Sequence, residues 1–323
     1  MLKLKNKDIQ MNLERISLFI LSLTFCFLSC GKDDGGDDEV EIVFRDRTEQ
    51  QVIDNDSIVG YLETHYYNSD DFIGNPDPSI ADLAITPLVE GESVPTGHTL
   101  LKEAVGVSKK VVYLDVDYEY YVLNINQGGG ADSPTFADNI LVSYEGFTLD
   151  NEVFDSAINP VEFDLTTLIP GWRKVFPQFN TAESFVENID GTVNFVNPGV
   201  GVMFLPSGLA YFSSSQSGIP SYSPLIFKFE LVHTTENDHD NDGILSYLED
   251  LNGDGEFSLN TEAGLQDGDD TDEDGVPNYF DPDDDGDGVP TINEDLNDDG
   301  DPTNDIGKNG IPNYLDPEET DSK

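Results

Sequence analysis

Acidic side chains recur in register near the end of this 323-residue sequence. Asp238, Asp240, Asp242, Gly243 and Glu249 follow the spacing D-x-D-x-D-G-x5-E, and Asp283, Asp285, Asp287, Gly288 and Glu294 follow it again. In such a loop, oxygens at the first, third and fifth positions converge on one ion. The glycine turns the chain, and the twelfth position closes the shell with two oxygens. Asp270, Asp272, Asp274, Gly275 and Asp281 make a third copy, and Asp250, Asn252, Asp254 and Gly255 a shorter one. All these donors are oxygens and the segment has no cysteine, which selects structural Ca2+ over zinc or copper. A solvated acidic tail would not keep this spacing.

A second set of residues offers a different chemistry. Tyr144, Phe154, Trp172 and Phe227 are large aromatics, accompanied by Leu168, Ile169 and Ile219 and by the polar pair Asp155 and Tyr211. No nucleophile or metal ligand stands out among them. That they meet in one dry pocket, working by desolvation and shape, is what the family resemblance given below implies.

The elements that must carry these aromatics read as β-structure. From Val111 onward, aromatic and branched stretches recur: Tyr118, Tyr120, Tyr121 and Val122, then Ile140-Leu141-Val142-Ser143-Tyr144, then Phe163 and Leu165. Val202-Met203-Phe204-Leu205 and Leu225-Ile226-Phe227-Lys228-Phe229-Glu230-Leu231 supply two more strands. Gly171 to Phe176 is the one helical piece nearby, limited by Pro177. A short helix among antiparallel strands predicts an α+β domain, an antiparallel sheet wrapped on that helix, followed by an irregular calcium-binding repeat segment.

Five blocks in order carry a resemblance. Val142-Ser143-Tyr144-Glu145-Gly146, Phe154-Asp155-Ser156, Ile169-Pro170-Gly171-Trp172, Leu205-Pro206-Ser207-Gly208-Leu209-Ala210-Tyr211, and Ile219-Pro220 with the strand from Leu225 resemble FKBP-type peptidyl-prolyl isomerases across roughly residues 111–235. The resemblance implies that Trp172 floors a proline pocket and that Tyr144, Phe154 and Phe227 wall it. It implies that Leu168 and Ile169 lie at its mouth, that Asp155 and Tyr211 hydrogen-bond the bound peptide, and that Ile219 covers the site. Phe163 and Phe229 are assigned to the core. The sequence departs from the family at Val161, where an aromatic wall is common, and at Phe212, where Gly is usual. It departs again at Ser213 to Ser217 and in an insertion over residues 180–200.

The acidic repeats resemble thrombospondin type 3 repeats rather than EF-hands. Pro277, Pro290 and Pro312 sit two residues after the loop glycine, and little apolar sequence flanks the loops. With its cation the segment should order; without it, self-repulsion and the lack of a core should leave it extended.

The first residues read as an address. Lys3, Lys5, Lys7 and Arg15 precede an apolar run from Ile16 to Leu28, too short to span a bilayer. Phe27-Leu28-Ser29-Cys30-Gly31 resembles a bacterial lipobox, with Cys30 the acylated residue. The parts expected are a lipoprotein signal peptide (1–29), an acidic tether (30–41), a helical and loop flanking region (42–110), an FKBP-like isomerase domain (111–235) and calcium-binding acidic repeats (236–323). In the flanking region Val52, Val59, Leu62 and Tyr66 have helical spacing, with Asp54 to Ser57 as capping residues.

Charge excludes some partners. With 15 Lys plus Arg against 65 Asp plus Glu, the formal charge is −50. Nucleic acid is not a partner of such a surface, and charge does not hold it to anionic lipid. The expected partners are proline-containing polypeptides and a membrane reached through the lipid anchor, for a monomer in the envelope of a Gram-negative bacterium, anchored to its outer membrane at the periplasmic or the external face. The expected activity is X–Pro isomerisation in exported proteins, with no cofactor for catalysis. The competing expectation is a non-catalytic proline-peptide-binding or adhesive surface module spaced by a calcium-stabilised rod.

Overall fold

The structure is a computed structural model and describes residues 44–259 and 268–323. The expected signal peptide, Cys30 and the tether lie outside the described residues.

Helix α1 (Arg47–Thr64) opens the described chain. Asp46 caps it, its side chain accepting from the Glu49 N–H at 3.0 Å. The residues expected to cap, Asp54 to Ser57, instead lie inside the helix. Its buried residues are Gln50, Gln51, Asp54, Ile58, Tyr61 and Leu62, while Val52 is exposed. Three polar residues among them break the apolar periodicity, which is why spacing of apolar residues alone misplaces both the face and the start. Tyr66 belongs to β1 (His65–Tyr67), which joins β2 (Ile85–Pro87) and β3 (Thr99–Leu100) in a small sheet of order β2-β1-β3. Helix α2 (Leu101–Val105) follows.

Six antiparallel strands form the main sheet. They are β4 (Lys109–Tyr113), β5 (Val116–Asn126), β6 (Asn139–Thr148), β7 (Val153–Asp164), β10 (Gly199–Leu205) and β11 (Leu225–Thr235), in the order β4-β5-β10-β11-β6-β7. Between β7 and β10 come helix α3 (Pro170–Val175) and a hairpin of β8 (Ser184–Glu187) and β9 (Val193–Val196), which occupies the predicted insertion.

Each face of the sheet has its own core. On one face α3 packs Trp172 and Val175 among Tyr144, Phe179, Met203, Leu205, Phe227 and Phe229. On the other, Ile58, Tyr61 and Leu62 of α1 and Leu101 of α2 pack on Tyr121, Leu123, Phe204 and Ile226. The sheet is therefore covered on both sides, so β10 is buried along its whole length and reads as an unbroken apolar run. The flanking region supplies the second of these layers. Among the described residues, no helix is long and apolar enough to cross a membrane.

The acidic segment is built from repeated short turns. Backbone bonds Ser246 N→Asn237 O (2.9 Å), Asn278 N→Asp269 O (2.7 Å) and Thr291 N→Pro282 O (3.0 Å) each enclose one loop. The residue that closes the bond is buried and starts a 3-10 turn. Pro277, Pro290 and Pro312 precede three such turns, with φ between −70° and −55°. The proline ring holds φ near that value, which suits this capping place and accounts for its recurrence there. The loop glycines Gly243, Gly275 and Gly288 have φ of 102°, 95° and 93°, a region that other residues rarely adopt.

Candidate active site and acidic centres

A cavity of about 160 Å3 opens beside α3, lined by Tyr144, Phe154, Asp155, Phe163, Thr167, Leu168, Ile169, Trp172, Tyr211 and Phe227. Trp172 is its hub. The indole meets Tyr144, Phe163 and Phe227 edge-on, at centroid distances of 5.4, 5.8 and 5.3 Å, and Phe154 stands edge-on to Phe227 at 5.5 Å. Edge-to-face contacts of this kind fix ring orientation as well as burying area. Pro170 is the first residue of α3, a position for which its ring is pre-organised, and it links the Leu168-Ile169 segment at the mouth to Trp172.

Gly146 makes room for two of the walls. A Cβ there would lie 2.7 Å from the Phe154 ring and 2.8 Å from that of Phe227, closer than atoms can pack. The strand β6 runs under both rings because this residue has no side chain.

Polar groups are few and placed at one side. The Tyr144 hydroxyl donates to Asp155 Oδ2 at 2.6 Å. Burial and the Asp155 carboxylate push the Tyr144 hydroxyl well above the usual phenol range, and the same two causes raise Tyr211. Both phenols therefore stay protonated donors at neutral pH. Tyr211 is partly exposed at the rim.

The loop bearing Tyr211 is held from α1. Buried Asp54 accepts from both the N–H and the hydroxyl of Ser207, at 2.8 and 2.6 Å, just before the turn Ser207–Leu209. Phe212 sits at φ 48°, which explains why the resembling family places glycine there. Here the Arg47 guanidinium lies 4.1 Å from the centre of the Phe212 ring and braces it.

Eight of the nine residues read from sequence for this pocket line it together. Ile219 does not; it is buried in the adjoining core. Phe163 corrects the expectation in the other direction. The sequence places it in the core, yet it lines the cavity and packs on Trp172 and Tyr144. Phe229 is a core residue, fully buried against Phe176 and Phe179.

The acidic centres form a second site. Asp240, Asp242, Glu249 and Asp284 bring carboxylate oxygens within 4.8 Å of one another, as do Asp270, Asp272 and Asp274, and Asp283, Asp285 and Asp287. Asp238 borders the first group, its carboxylate accepting the N–H of Asn241 and Gly243. Asp281 lies near Asp272 and Asp274, whose charges raise its pKa after burial does. Glu294 faces Asp285 and Asp287. Asp250 accepts from Gly253, Asp254 and Gly255, and Asn252 accepts from the Asp254 N–H, but loop 250–254 forms no group of three carboxylates among the described residues.

Asp284 escaped the sequence reading because it is an even-numbered position of its own loop and serves the neighbouring one. No periodic signal marks it. A fifth loop escapes the sequence reading as well, at Asp295, where the Gly300 N–H donates to the carboxylate and the Lys323 ammonium lies at 3.0 Å.

Charge makes these groups costly as they stand. Glu249, Asp284 and Glu294 are at most 1 % exposed, and both oxygens of each have no hydrogen-bond partner among the described residues. Burial, followed by the neighbouring carboxylates, pushes Glu249 up to about 10, Asp284 to about 11 and Glu294 to about 8. Buried, clustered, unpartnered carboxylates call for a compensating cation. An all-oxygen shell of this kind fits Ca2+.

Comparison with known proteins gives matches over the segment that carries the pocket. Residues 130–232 match the family model of FKBP-type peptidyl-prolyl cis-trans isomerases. Residues 239–300 match a model described as BamM C-terminal. The chain is 28% identical over 114 residues to the FKBP-type peptidyl-prolyl cis-trans isomerase FkpA of Escherichia coli strain K12, covering 34% of this chain and 36% of that protein. It is 30% identical over 119 residues to the peptidyl-prolyl cis-trans isomerase Mip of Coxiella burnetii, covering 35% and 43%. A crystal structure of FkpA from Escherichia coli is similar at 25% identity and a TM-score of 0.30, over 36% of this chain and 48% of that one. The match thus spans well under half the length of these curated relatives.

Proposed function

From the FKBP-type domain at residues 130–232, we propose that this chain catalyses cis–trans isomerisation of X–Pro bonds in exported polypeptides and so assists their folding. The observation that carries this reading is the aromatic cavity floored by Trp172, with Asp155 and Tyr211 at one side.

The geometry suits the reaction. An X–Pro bond crosses a barrier of roughly 18–20 kcal/mol in tens of seconds or more. At the top of that barrier the amide is twisted and has lost resonance, so it carries less charge separation than the planar form. A dry aromatic cavity therefore disfavours the transition state less than the ground state. Trp172, Tyr144, Phe154, Phe163 and Phe227 take the proline ring, whose size suits the cavity. The Tyr211 hydroxyl and the Asp155 carboxylate hold the flanking peptide, the first as donor and the second as acceptor. Lowering the barrier by about 5 kcal/mol would raise the rate between 10³ and 10⁴.

The acidic segment is proposed to bind structural Ca2+. Support comes from the buried, unpartnered oxygens of Glu249, Asp284 and Glu294 beside Asp240, Asp242, Asp285 and Asp287. The cation would offset their charge and supply folding free energy to a segment with little apolar core. The signal-like first residues and Cys30 support lipid anchoring in the envelope of a Gram-negative bacterium.

A protease-coupled assay on an X–Pro peptide tests the activity, comparing the wild type with Trp172→Ala and Asp155→Ala. Acceleration by the wild type, reduced in both variants, is expected. No acceleration by the wild type sinks catalysis and leaves a proline-peptide-binding module. Intact protein mass after membrane extraction tests the anchor; a chain still carrying residues 1–29 would overturn it.

A further inference from the structure

The acidic segment reaches back to the helix that floors the cavity. Glu256 bonds Arg173 at 2.6 Å and Lys174 at 2.8 Å, the two residues that follow Trp172 in α3. The Lys174 ammonium also donates to the carbonyls of Asp254 and Gly255, at 3.3 and 2.9 Å. These side chains are 10–15 % exposed, so the contact is largely withdrawn from water. Phe257 extends it, stacked on Tyr279 at 3.8 Å and packed against Phe136 at 5.1 Å.

The other side of the same loop is tied to an acidic centre. Buried Asp269 accepts from the N–H of Leu251 and of Ser258, at 2.8 and 2.9 Å, and its own N–H donates to the Ser258 carbonyl at 2.6 Å. Asp269 directly precedes Asp270, the first residue of the group Asp270, Asp272 and Asp274. An unbroken path of bonded groups therefore runs from that centre through Asp269 and the loop to Glu256, then to Arg173, Lys174 and Trp172.

We infer that the acidic segment is a cation-dependent clamp on α3, with Glu256 a positioning residue that sets Trp172 on the cavity floor. The inference rests on the Ca2+ reading of the acidic centres. A cation at Asp270, Asp272 and Asp274 fixes Asp269, which holds the loop over residues 251–258. The loop then presents Glu256 in a fixed place. A desolvated ion pair offsets its desolvation only when its geometry is well held, and here the cation supplies that order on one side. Coupling of this kind is reciprocal: what cation binding does to the pocket, pocket occupancy does to cation affinity.

Trp172 is the only tryptophan of the chain, so its emission reports the cavity floor directly. The test titrates the full chain with CaCl2 and follows binding heat and Trp172 emission together, in the wild type, Glu256→Ala and Asp274→Asn. The wild type should bind Ca2+ and shift its emission. Glu256→Ala should bind the same number of ions and lose the shift, and Asp274→Asn should lose one ion and the shift together. Binding heat with unmoved emission in the wild type overturns the clamp and leaves the cation sites standing. A full shift in Glu256→Ala overturns the role of Glu256. Absence of binding heat removes the Ca2+ reading and the clamp with it. Emission is read without turnover, so the outcome does not depend on the isomerase assay.

Discussion

Asp54 of α1 takes two hydrogen bonds from one residue, the N–H and the hydroxyl of Ser207. The bonds join the helix on one side of the sheet to the loop that carries Tyr211 on the other. Asp54→Ala leaves a buried N–H and a hydroxyl without partners and should cost about 1–3 kcal/mol. Urea unfolding measures that loss. Unchanged stability would show that the loop holds itself.

The same contact carries a pH signature. Burial raises the Asp54 pKa above the ordinary carboxylate value, and the bonds from Ser207 and Gln50 offset only part of that. A raised pKa means the folded state binds the proton more tightly than the unfolded one. The contribution to stability is therefore full below about pH 4 and declines as pH rises through the folded pKa. Unfolding midpoints of wild type and Asp54→Asn, compared from pH 4 upward, should move in favour of the variant. A constant difference would count against it.

The pocket was legible because its residues are unusual: a lone Trp, spaced aromatics and a short Pro-led helix. What could not be read was the second layer. Gln50 and Asp54 sit on the buried stripe of α1 and hide it from any apolar periodicity. Phe163 was misassigned because strand alternation tells which face a side chain takes, and both the core and the cavity lie on that face. Asp284 was missed because its carboxylate lies with the acidic group of another loop, and spacing within one loop carries no information about the next.

Tyr144→Phe separates the polar from the apolar part of the pocket. The ring stays against Trp172 and only the 2.6 Å bond to Asp155 is lost. Asp155 then turns more freely and the flanking peptide is held less well. In the X–Pro assay kcat/KM should fall about tenfold, the equivalent of about 1.4 kcal/mol, with the thermal midpoint little changed. An unaltered kcat/KM would show that Asp155 needs no help from Tyr144.

Gly146→Ala tests the packing of the walls. The added methyl must push the Phe154 and Phe227 rings, each under 3.0 Å from its position. Overpacking should cost roughly 1–3 kcal/mol in stability. The displaced rings should narrow the cavity and raise KM for the peptide. Adding Phe154→Leu should recover part of both. A variant with native KM would mean that the rings move away from the cavity rather than into it.

Asp284 joins two acidic centres. Its carboxylate completes the group of Asp240, Asp242 and Glu249, while its chain neighbours Asp283 and Asp285 belong to the next group. Occupying one centre therefore fixes the backbone of the other. Glu249→Gln should remove one bound Ca2+ by calorimetry and also weaken the centre at Asp283, Asp285 and Asp287. Ca2+ at a hundredfold its dissociation constant should stabilise the wild type by about 2.7 kcal/mol per ion, and the variant should lose more than one ion's share. Asp287→Asn should give the reciprocal result at the first centre. Two variants that each lose one ion and leave the other centre's affinity untouched would show that Asp284 does not couple them.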